Sequence, residues 1–364
     1  MSYVAKSGFG SPRGLHAIRI RQAWNRPRTL PRALRPTLAH DGHTWVLKRN
    51  EVVVKDVSVA KLPGEPAWTA QSLVQAYERV RPRLPRGGGI GRRQMLPDLG
   101  PLANRYDVFV FDAFGVLNAG DRALPSAPAR WRELRASGRT LLVVSNAASL
   151  PKPALCAKYQ AMGFDILPDE LVSSRDTLLE ALRLAQPRQW GVLAPAGADL
   201  SDLPVAATLL GDDPRAYARA EGFLWLGSAG WSAERQAMLR GALREWPRPL
   251  WVANPDLVAP RDHGFSLEPG YYATELEAAG DAVPRYFGKP YPEIYQLALS
   301  RLAATPAPRS VLMLGDTLHT DVLGARIMGW DAALLVGPGA SHGLDLEWAA
   351  SHTGLAPDYV LPRL

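Results

Sequence analysis

The sequence predicts an α/β protein built on a doubly wound parallel sheet, with a separate domain inserted into it. From Tyr106 onward, short and nearly continuous apolar runs alternate with segments of helical periodicity. Such runs are typical of strands buried on both faces of a parallel sheet. In addition, the interval from Asn146 to Lys289 is far longer than a connection within one sheet requires, so we expect it to contain a second domain.

The N-terminal region, residues 1–94, differs in composition from the rest of the 364-residue chain. It holds 18 Lys and Arg against five acidic residues, a net charge of +13, whereas the remainder holds 24 against 30, a net charge of −6. Residues 43–62 are predicted to pair as a hairpin, residues 67–80 to form one helix, and "RPRLPRGGGIGRR" to form a flexible basic linker.

Several interpretations of residues 1–94 remain open. The simplest is a disordered or poorly ordered basic extension, or a translation start placed too early, since Met95 precedes the first clear strand. An Arg-rich, acid-poor start also resembles a transit peptide. A basic arm for nucleic acid is the third alternative, although nucleic acid is not the expected partner.

The elements after residue 94 follow a regular order. The runs "DVFVF", "TLLVVS", "SVLMLG" and "AALLV" are predicted to be buried parallel strands. Helices such as "APARWRELRASG" and "PEIYQLALSRLAA" lie between them, and the latter carries Pro292 in its first turn. This alternation predicts a doubly wound α/β sheet, whose ligand crevice lies at the carboxyl ends of the strands.

Membrane insertion and disulfide bonding are not expected. No stretch approaches the roughly 20 apolar residues of a spanning helix, and the N-terminus lacks the apolar segment of a secretory signal. The single cysteine, Cys156, shares a predicted helical face with Leu155, Tyr159 and Met162, so a core thiol is expected. A lone cysteine fits a cytoplasmic location.

Polar residues follow the predicted strands in a consistent way. Asp112 follows the first strand, Ser145 and Asn146 follow the second, and Lys289 lies in "YFGKPYPEIY". The motif "LMLGDTLHTD" then carries two more acids, which are Asp316 and Asp321. Clustered carboxylates without a thiolate or histidine set suit Mg²⁺, and a phosphoryl group attacked by a carboxylate requires such a cation. The set predicts phosphoryl transfer, with Asp112 attacking and with Ser145 and Lys289 holding phosphoryl oxygens.

The motifs "FDAFGVL", "VVSNAAS", "GKPYPEIY" and "GDTLHTD" resemble, in this order, those of the haloacid dehalogenase-like hydrolase superfamily. The resemblance spans most of residues 106–338 and implies that Asp112 is the nucleophile and a Mg²⁺ ligand. It also implies that the Phe114 backbone carbonyl and Asp316 bind the metal, and that Asp321 is an outer or additional metal partner. By the same resemblance, Asn146 shapes the phosphate pocket.

The segment "LWVANPDLVAP" adds Asn254 and Asp256 in an Asn-Pro-Asp trio, which resembles the class IIA branch, the NagD-like and p-nitrophenylphosphatase-like group. This branch carries an α/β cap between its second and third motifs, so the trio is expected in a substrate-facing or cap-docking loop. We expect a core of residues 95–180 and 265–364 and a cap of residues 181–264. The resemblance implies a small phosphorylated metabolite as substrate and leaves open a homodimer formed through the cap.

Phe114 departs from the family pattern. Phosphatases of this superfamily usually carry there a second aspartate, which protonates the leaving group, and such help is typically worth about 10²- to 10⁴-fold in rate. Three consequences are open: a slow phosphatase that favours good leaving groups, an acid supplied by the cap or the substrate, or lost turnover. His319 and Asp121 are weak substitutes, for which surface, capping or turn roles are favoured.

The sequence thus predicts a cytoplasmic, Mg²⁺-dependent hydrolase of small phosphomonoesters that acts through an aspartyl phosphate on Asp112. An aromatic residue at Phe114 also resembles the dehalogenase branch, but the acidic motif and the cap favour phosphate esters. The alternative from another functional class is a non-catalytic protein that binds a phosphometabolite.

Overall fold

The computed structural model describes residues 38–40, 44–47, 54–55, 68–261, 264–304 and 306–364. The chain divides into two compact units, Met1–Ser58 and Val59–Leu364. None of the helices in the described ranges combines the length and apolarity that a membrane crossing requires.

The first unit contains a three-stranded antiparallel sheet. Its strands are β1 (Leu38–His40), β2 (Thr44–Leu47) and β3 (Val54–Lys55), in that spatial order. Strand β2 pairs with β3, which confirms the hairpin predicted from this part of the sequence. The predictions for the basic arm at residues 1–37 lie outside the described residues.

The second unit alternates strands and helices along most of its length. Its strands are β4 (Gly89–Ile90), β5 (Gln94–Met95), β6 (Val108–Phe111), β7 (Asn118–Ala119), β8 (Arg122–Ala123), β9 (Thr140–Ser145), β10 (Leu171–Ser173), β11 (Trp190–Leu193), β12 (Ala207–Leu209), β13 (Gly222–Trp225), β14 (Leu250–Val252), β15 (Val258–Arg261), β16 (Gly264–Leu267), β17 (Arg285–Tyr286), β18 (Val311–Gly315), β19 (Asp331–Leu335), β20 (Leu355–Ala356) and β21 (Tyr359–Leu361). Its helices are α1 (Ala70–Arg79), α2 (Ala127–Ala136), α3 (Lys152–Ala161), α4 (Ser174–Arg183), α5 (Pro214–Arg219), α6 (Ala233–Glu245), α7 (Pro269–Ala278), α8 (Pro292–Leu299), α9 (Leu323–Met328) and α10 (Leu346–Thr353).

The main sheet has the strand order β10-β9-β6-β18-β19-β21-β5, and every neighbouring pair is parallel. Side chains alternate between its faces. Phe109 and Phe111 of β6 pack in one apolar cluster with Trp131, whereas Val108 and Val110 belong to a second cluster. Because helices cover both faces, the central strands are buried throughout, as their apolar runs predict.

A second, five-stranded parallel sheet forms the inserted α/β cap, with the order β12-β11-β13-β14-β17. Its last strand, Arg285–Tyr286, lies beyond residue 264, where the sequence placed the end of the cap. Trp251 pairs with Arg285, so the chain returns to the cap sheet once more before it re-enters the core. A two-residue strand carries no periodicity, and the sequence could not reveal this last crossing.

Residues 68–94 belong to the folded core, which corrects their assignment to a poorly ordered extension and a flexible linker. Helix α1 begins at a capping box formed by Thr69 and Ser72 and buries Leu73, Val74 and Tyr77. After it, β4 pairs with β20 and β5 forms an edge of the main sheet. Basic residues in this segment also have partners, since Arg83 Nη1 donates to Tyr286 Oη at 2.8 Å.

The single cysteine is a core residue, as predicted. Cys156 lies on α3 with its side chain buried as a free thiol, in the same cluster as Leu155 and Tyr159. Burial raises the pKa of the Cys156 thiol, and the nearby Lys152 only partly opposes this effect. A thiol with a raised pKa is a poor nucleophile.

Candidate active site

Two neighbouring strands of the main sheet lead into aspartates. Strands β6 and β18 run parallel, with Phe111 paired to Leu314, and Asp112 follows the first strand directly. Gly315 ends the second strand and Asp316 follows it. The backbone N–H of Asp112 donates to the Leu314 carbonyl at 2.8 Å, so two acids that are distant in sequence lie at the same sheet edge.

A third aspartate comes from the turn after β18. This turn, Leu318–Val322, is π-helical, a geometry that often occurs at functional sites. It brings Asp321 back toward the strand end, where its Oδ2 accepts the backbone N–H groups of Asp316 and Thr317, both at 3.1 Å. Carboxylate oxygens of Asp112, Asp316 and Asp321 all lie within 4.8 Å of one another, and all three residues are buried.

Lys289 joins two of these acids. Its Nζ lies 2.5 Å from Asp112 Oδ1 and 2.7 Å from Asp321 Oδ1, and its side chain is almost fully buried. Burial alone would lower the pKa of Lys289, but Asp112 and Asp321 outweigh that effect and raise it well above its ordinary value. The Lys289 ammonium is therefore a permanent positive charge at the centre of the cluster.

One ammonium does not balance the acids around it. Burial raises the pKa of Asp112 well above its ordinary value although Lys289 opposes it, and burial with Asp321 raises the pKa of Asp316 to about 7. Buried carboxylates that are hard to ionise favour a further cation, and their oxygens are the ligands that Mg²⁺ prefers. The residue set therefore fits a divalent cation held by Asp112 and Asp316, with Asp321 beside them.

Two glycines allow the backbone to approach Asp316. A Cβ added at Gly115 would lie 2.0 Å from Asp316 Oδ2, and one added at Gly339 would lie 2.2 Å from the same atom. Both residues have positive φ, +81° and +84° respectively, which glycine adopts without strain. The loop that contains Gly339 also holds Asp316 directly. Ala340 N–H donates to Asp316 Oδ2 at 2.7 Å, and the Ser341 hydroxyl donates to the Asp316 carbonyl at 2.5 Å.

Asn146 connects the second and third motifs. Its Oδ1 accepts the Lys289 N–H at 2.7 Å, and its Nδ2 donates to the Lys289 carbonyl at 3.2 Å and to Asp256 Oδ1 at 2.8 Å. Ser145 is buried at the end of β9, where its hydroxyl accepts the Ala147 N–H at 3.2 Å. Asn146 thus fixes the backbone that carries Lys289.

The Asn-Pro-Asp loop reaches the site through Asp256. Burial raises the pKa of Asp256 to about 8, although Lys289 opposes the shift. Asn254 lies behind Asp256 in the same loop. Its Oδ1 accepts the Asp256 N–H at 3.0 Å and its Nδ2 donates to Glu268 Oε2, also at 3.0 Å. Asp256 therefore contacts the site residues, whereas Asn254 orders the loop that presents it.

Phe114 lies at the edge of the site with its ring half-buried against the cluster that contains Trp131. Two cations approach this ring. Lys158 Nζ and Arg261 Cζ each lie 5.2 Å from the ring centroid, within the range of a cation–π contact. The position that usually carries an acid in the family therefore carries an aromatic ring flanked by positive charge.

The two weak substitutes for the acid are both engaged elsewhere. His319 is fully buried, which corrects the surface role favoured from the sequence. Its Nε2 lies 2.6 Å from Glu78 Oε1, and its ring stacks on Tyr77, so it contacts α1. Asp121 is exposed and its carboxylate lies 2.6 Å from Lys158 Nζ.

Gly339, Glu268 and Arg261 are contributors that sequence reasoning missed. A signal existed for Gly339, because "GPGAS" directly follows the predicted strand "AALLV" and must therefore lie at the same sheet edge as Asp112. Glu268 and Arg261 carry no such signal. They act through side-chain contacts across the β15–β16 hairpin, which residue order does not disclose.

Comparison with known proteins gives matches at both ends of the core. A family profile described as haloacid dehalogenase-like hydrolase matches residues 109–200, and one described as HAD-hydrolase-like matches residues 286–364. Together these ranges contain Asp112, Ser145, Lys289, Asp316 and Asp321.

Curated relatives and a solved structure extend the match across the cap. The chain is 31% identical to chronophin from Rattus norvegicus over 269 residues, which cover 70% of this chain and 84% of the relative. It is 29% identical to glycerol-3-phosphate phosphatase from Gallus gallus, with coverages of 72% and 91%. The crystal structure of a possible sugar phosphatase from Cytophaga hutchinsonii superposes with a TM-score of 0.66 at 26% identity, covering 74% of this chain and 98% of the other.

Proposed function

The chain belongs to the class IIA branch of the haloacid dehalogenase-like hydrolase superfamily, and on this premise we propose that it is a Mg²⁺-dependent phosphatase. The proposed substrates are small phosphorylated metabolites, and the proposed intermediate is an aspartyl phosphate on Asp112. A cytoplasmic location is part of the proposal and rests on the lone, unpaired Cys156.

The observation that carries the proposal is the position of Asp112. Its Oδ1 accepts the Ala113 N–H at 2.6 Å and lies 2.5 Å from Lys289 Nζ, so two donors orient the carboxylate. Carboxylate oxygens of Asp316 and Asp321 lie within 4.8 Å of those of Asp112, which supports a site for a divalent cation here. A nucleophile, a fixed cation and a metal site within one buried cluster are the components that phosphoryl transfer to a carboxylate requires.

In the proposed reaction, the Lys289 ammonium binds a phosphoryl oxygen while the Asp112 carboxylate attacks phosphorus. The Ser145 hydroxyl, at the end of β9, contributes a second donor to the phosphoryl group. Asn146 holds the Lys289 backbone through two hydrogen bonds and so fixes the position of the ammonium. Mg²⁺, held by Asp112, Asp316 and the Phe114 carbonyl with Asp321 beside it, would neutralise charge on the phosphoryl group.

Phe114 supplies no proton. The bond to the leaving group therefore breaks without the help of an acid at this position, and turnover is expected to be slow for leaving groups that need protonation. The same observation favours a second candidate function, in which the protein binds a phosphometabolite without hydrolysing it.

The test is Mg²⁺-dependent phosphate release from p-nitrophenyl phosphate and from a panel of natural monoesters. We compare the full-length chain with Asp112→Asn. As a matched control we use Asp107→Asn. Asp107 is an exposed acid that directly precedes β6, the strand that Asp112 follows, and it pairs with Arg139 at 3.4 Å. Release that requires Mg²⁺ and Asp112 but not Asp107 supports the phosphatase. Tight binding of a phosphate ester without release by a folded protein supports the second candidate.

A further inference from the structure

Two positive side chains converge on the residue that replaces the family's acid. Lys158 lies on α3 of the core and Arg261 ends β15, after the Asn-Pro-Asp loop. Each charge lies 5.2 Å from the centroid of the Phe114 ring. Phe114 is two residues from Asp112, and the next residue, Gly115, lies directly against Asp316. Charge from two separate segments thus meets at the side chain two residues after the proposed nucleophile.

Both cations are held in place by acids. Lys158 Nζ lies 2.6 Å from Asp121 Oδ1. Arg261 donates through Nε to the Ser266 hydroxyl at 2.8 Å and through Nη2 to Glu268 Oε1 at 3.0 Å. Glu268 is buried and also accepts from Asn254, so the network that orders the Asn-Pro-Asp loop also orients Arg261.

The two side chains remain accessible to a bound molecule. The side chain of Lys158 is 20% exposed and that of Arg261 is 41% exposed. The aromatic ring that both cations contact offers an apolar surface without a proton to donate. A group that lies against this ring meets positive charge from both segments, and negative charge on that group is stabilised.

Resting on the proposed function, we propose that Lys158 and Arg261 form a leaving-group subsite, which stabilises the departing oxygen as an anion instead of protonating it. The matching substrates are phosphoryl donors with an acidic leaving group, such as acyl phosphates, phosphoanhydrides and aryl phosphates. Alkyl phosphates, whose leaving oxygen needs a proton, are poor substrates.

The reaction balances without an acid at position 114. The Asp112 carboxylate forms a bond to phosphorus, the bond from phosphorus to the leaving oxygen breaks, and its electron pair remains on that oxygen beside Lys158 and Arg261. Water then forms a bond to phosphorus, the bond from phosphorus to Asp112 breaks, and Asp112 is restored as a carboxylate. Both hydrogens of that water stay on the product as dihydrogen phosphate, which loses a proton to solvent according to its own pKa.

The test is a series of phosphate esters that differ in the pKa of the leaving group, from acetyl phosphate through substituted aryl phosphates to glycerol phosphate. For the full-length enzyme we expect log kcat/KM to fall as the leaving-group pKa rises. Lys158→Met and Arg261→Met should make this dependence steeper. For esters with the least acidic leaving groups, kcat/KM should fall about tenfold or more, since removal of one oxyanion donor costs up to about 10²- to 10³-fold. For acetyl phosphate, kcat/KM should change little. Arg261→Lys keeps the charge and should restore much of the rate.

A matched control is Arg188→Met, because Arg188 also lies over an aromatic ring, 5.1 Å from the Trp190 centroid in the cap sheet. Arg188→Met should leave the dependence of log kcat/KM on the leaving-group pKa unchanged. If Lys158→Met and Arg261→Met lower every rate by the same factor, or change none, the two cations only support the fold and the inference is overturned. If no ester is hydrolysed in a way that requires Asp112, the proposed function itself fails.

Discussion

The Tyr77 ring stacks on the His319 imidazole, with centroids 5.1 Å apart and planes 7° apart. Tyr77 lies on α1, whereas His319 lies in the π-helical turn that also carries Asp321. The Tyr77 hydroxyl also accepts the Leu257 N–H of the Asn-Pro-Asp loop at 3.3 Å. One side chain that precedes the family match at residue 109 therefore contacts two loops of the candidate site.

Helix α1 is accordingly predicted to be necessary for a competent site. A chain that starts at Met95 should unfold at a lower temperature and lose phosphatase activity, because it exposes the apolar surface that α1 covers and frees His319 and Leu257. A chain that starts at Val59, where the second compact unit begins, should keep both properties. Thermal unfolding and phosphate release measure the two effects.

Arg83, which follows α1, also supports the prediction that this part of the chain is necessary for stability and activity. Its Nη1 donates to Tyr286 Oη at 2.8 Å, and its guanidinium lies 4.5 Å from that ring's centroid. Tyr286 belongs to the last strand of the cap sheet, so the segment after α1 also ties the cap to the core. Equal stability and activity of the two shortened chains would show that this segment is dispensable.

The order of the strand-end residues could be predicted from the sequence because apolar runs mark buried strands, and a parallel sheet gathers their carboxyl ends at one edge. Asp112 and Asp316 are brought together in this way. Lys289 follows a strand of the cap sheet and Asp321 lies on a turn, so their contacts depend on the motif order and not on the strand ends alone. Roles assigned by resemblance, such as that of the Phe114 carbonyl, remain predictions.

What the sequence could not predict are contacts between distant segments. The apolar face of α1 shows that the helix is buried, but it does not show that Tyr77 packs on His319. Basic residues in "RPRLPRGGGIGRR" look like a solvated linker until their partners are known, and Arg83 is bound to the cap. Composition therefore misplaced residues 68–94.

Gly115 is predicted to be indispensable for the metal site. In Gly115→Ala the new Cβ would lie 2.0 Å from Asp316 Oδ2 at a φ of +81°, so both the Asp316 carboxylate and the backbone must shift. Gly138 is the matched control, since it has a φ of +75° with nothing within 4 Å of an added Cβ. Gly138→Ala should cost only the strain of this conformation, about 1–2 kcal/mol.

Isothermal titration with Mg²⁺ and thermal unfolding separate the two effects. Gly115→Ala should bind Mg²⁺ at least tenfold more weakly, whereas Gly138→Ala should bind it as the native chain does. Equal Mg²⁺ affinities for the two variants would contradict the assignment of Asp316 as a ligand.

Mg²⁺ should stabilise the folded chain, because the single Lys289 ammonium does not balance the three buried carboxylates. A ligand that binds only the folded state stabilises it by about 2.7 kcal/mol at a hundredfold excess over its Kd, and Tm should rise accordingly. In EDTA, Asp316→Asn should unfold at a higher temperature than the native chain, since the substitution removes one of three carboxylates that repel one another. Its Tm should rise little when Mg²⁺ is added.

The control for this experiment is Asp169→Asn, which alters an exposed acid that pairs with Arg301 at 3.3 Å. It should show the same rise in Tm with Mg²⁺ as the native chain. A full rise in Asp316→Asn would place the cation elsewhere.

Restoring the missing acid should change which leaving groups are accepted. Phe114→Asp places a carboxyl group beside Lys158 and Arg261, and both cations lower the pKa of that carboxyl. Less of it therefore carries a proton to donate near neutral pH. General acid help is typically worth about 10²- to 10⁴-fold. We therefore expect a gain in kcat for glycerol phosphate near or below the lower end of that range, about tenfold. For p-nitrophenyl phosphate, whose leaving group needs no proton, kcat should change little.

Phe114→Asn separates the effect of the new acid from the effect of losing the ring. Its side chain has nearly the same size as that of Phe114→Asp but has no carboxyl group to donate a proton. It should show no gain with glycerol phosphate. If Phe114→Asn gains as much as Phe114→Asp, the Phe114 ring obstructs the substrate and proton donation is not the limiting step. If neither variant gains while Asp112 remains essential, a proton reaches the leaving group from another side chain or from the substrate.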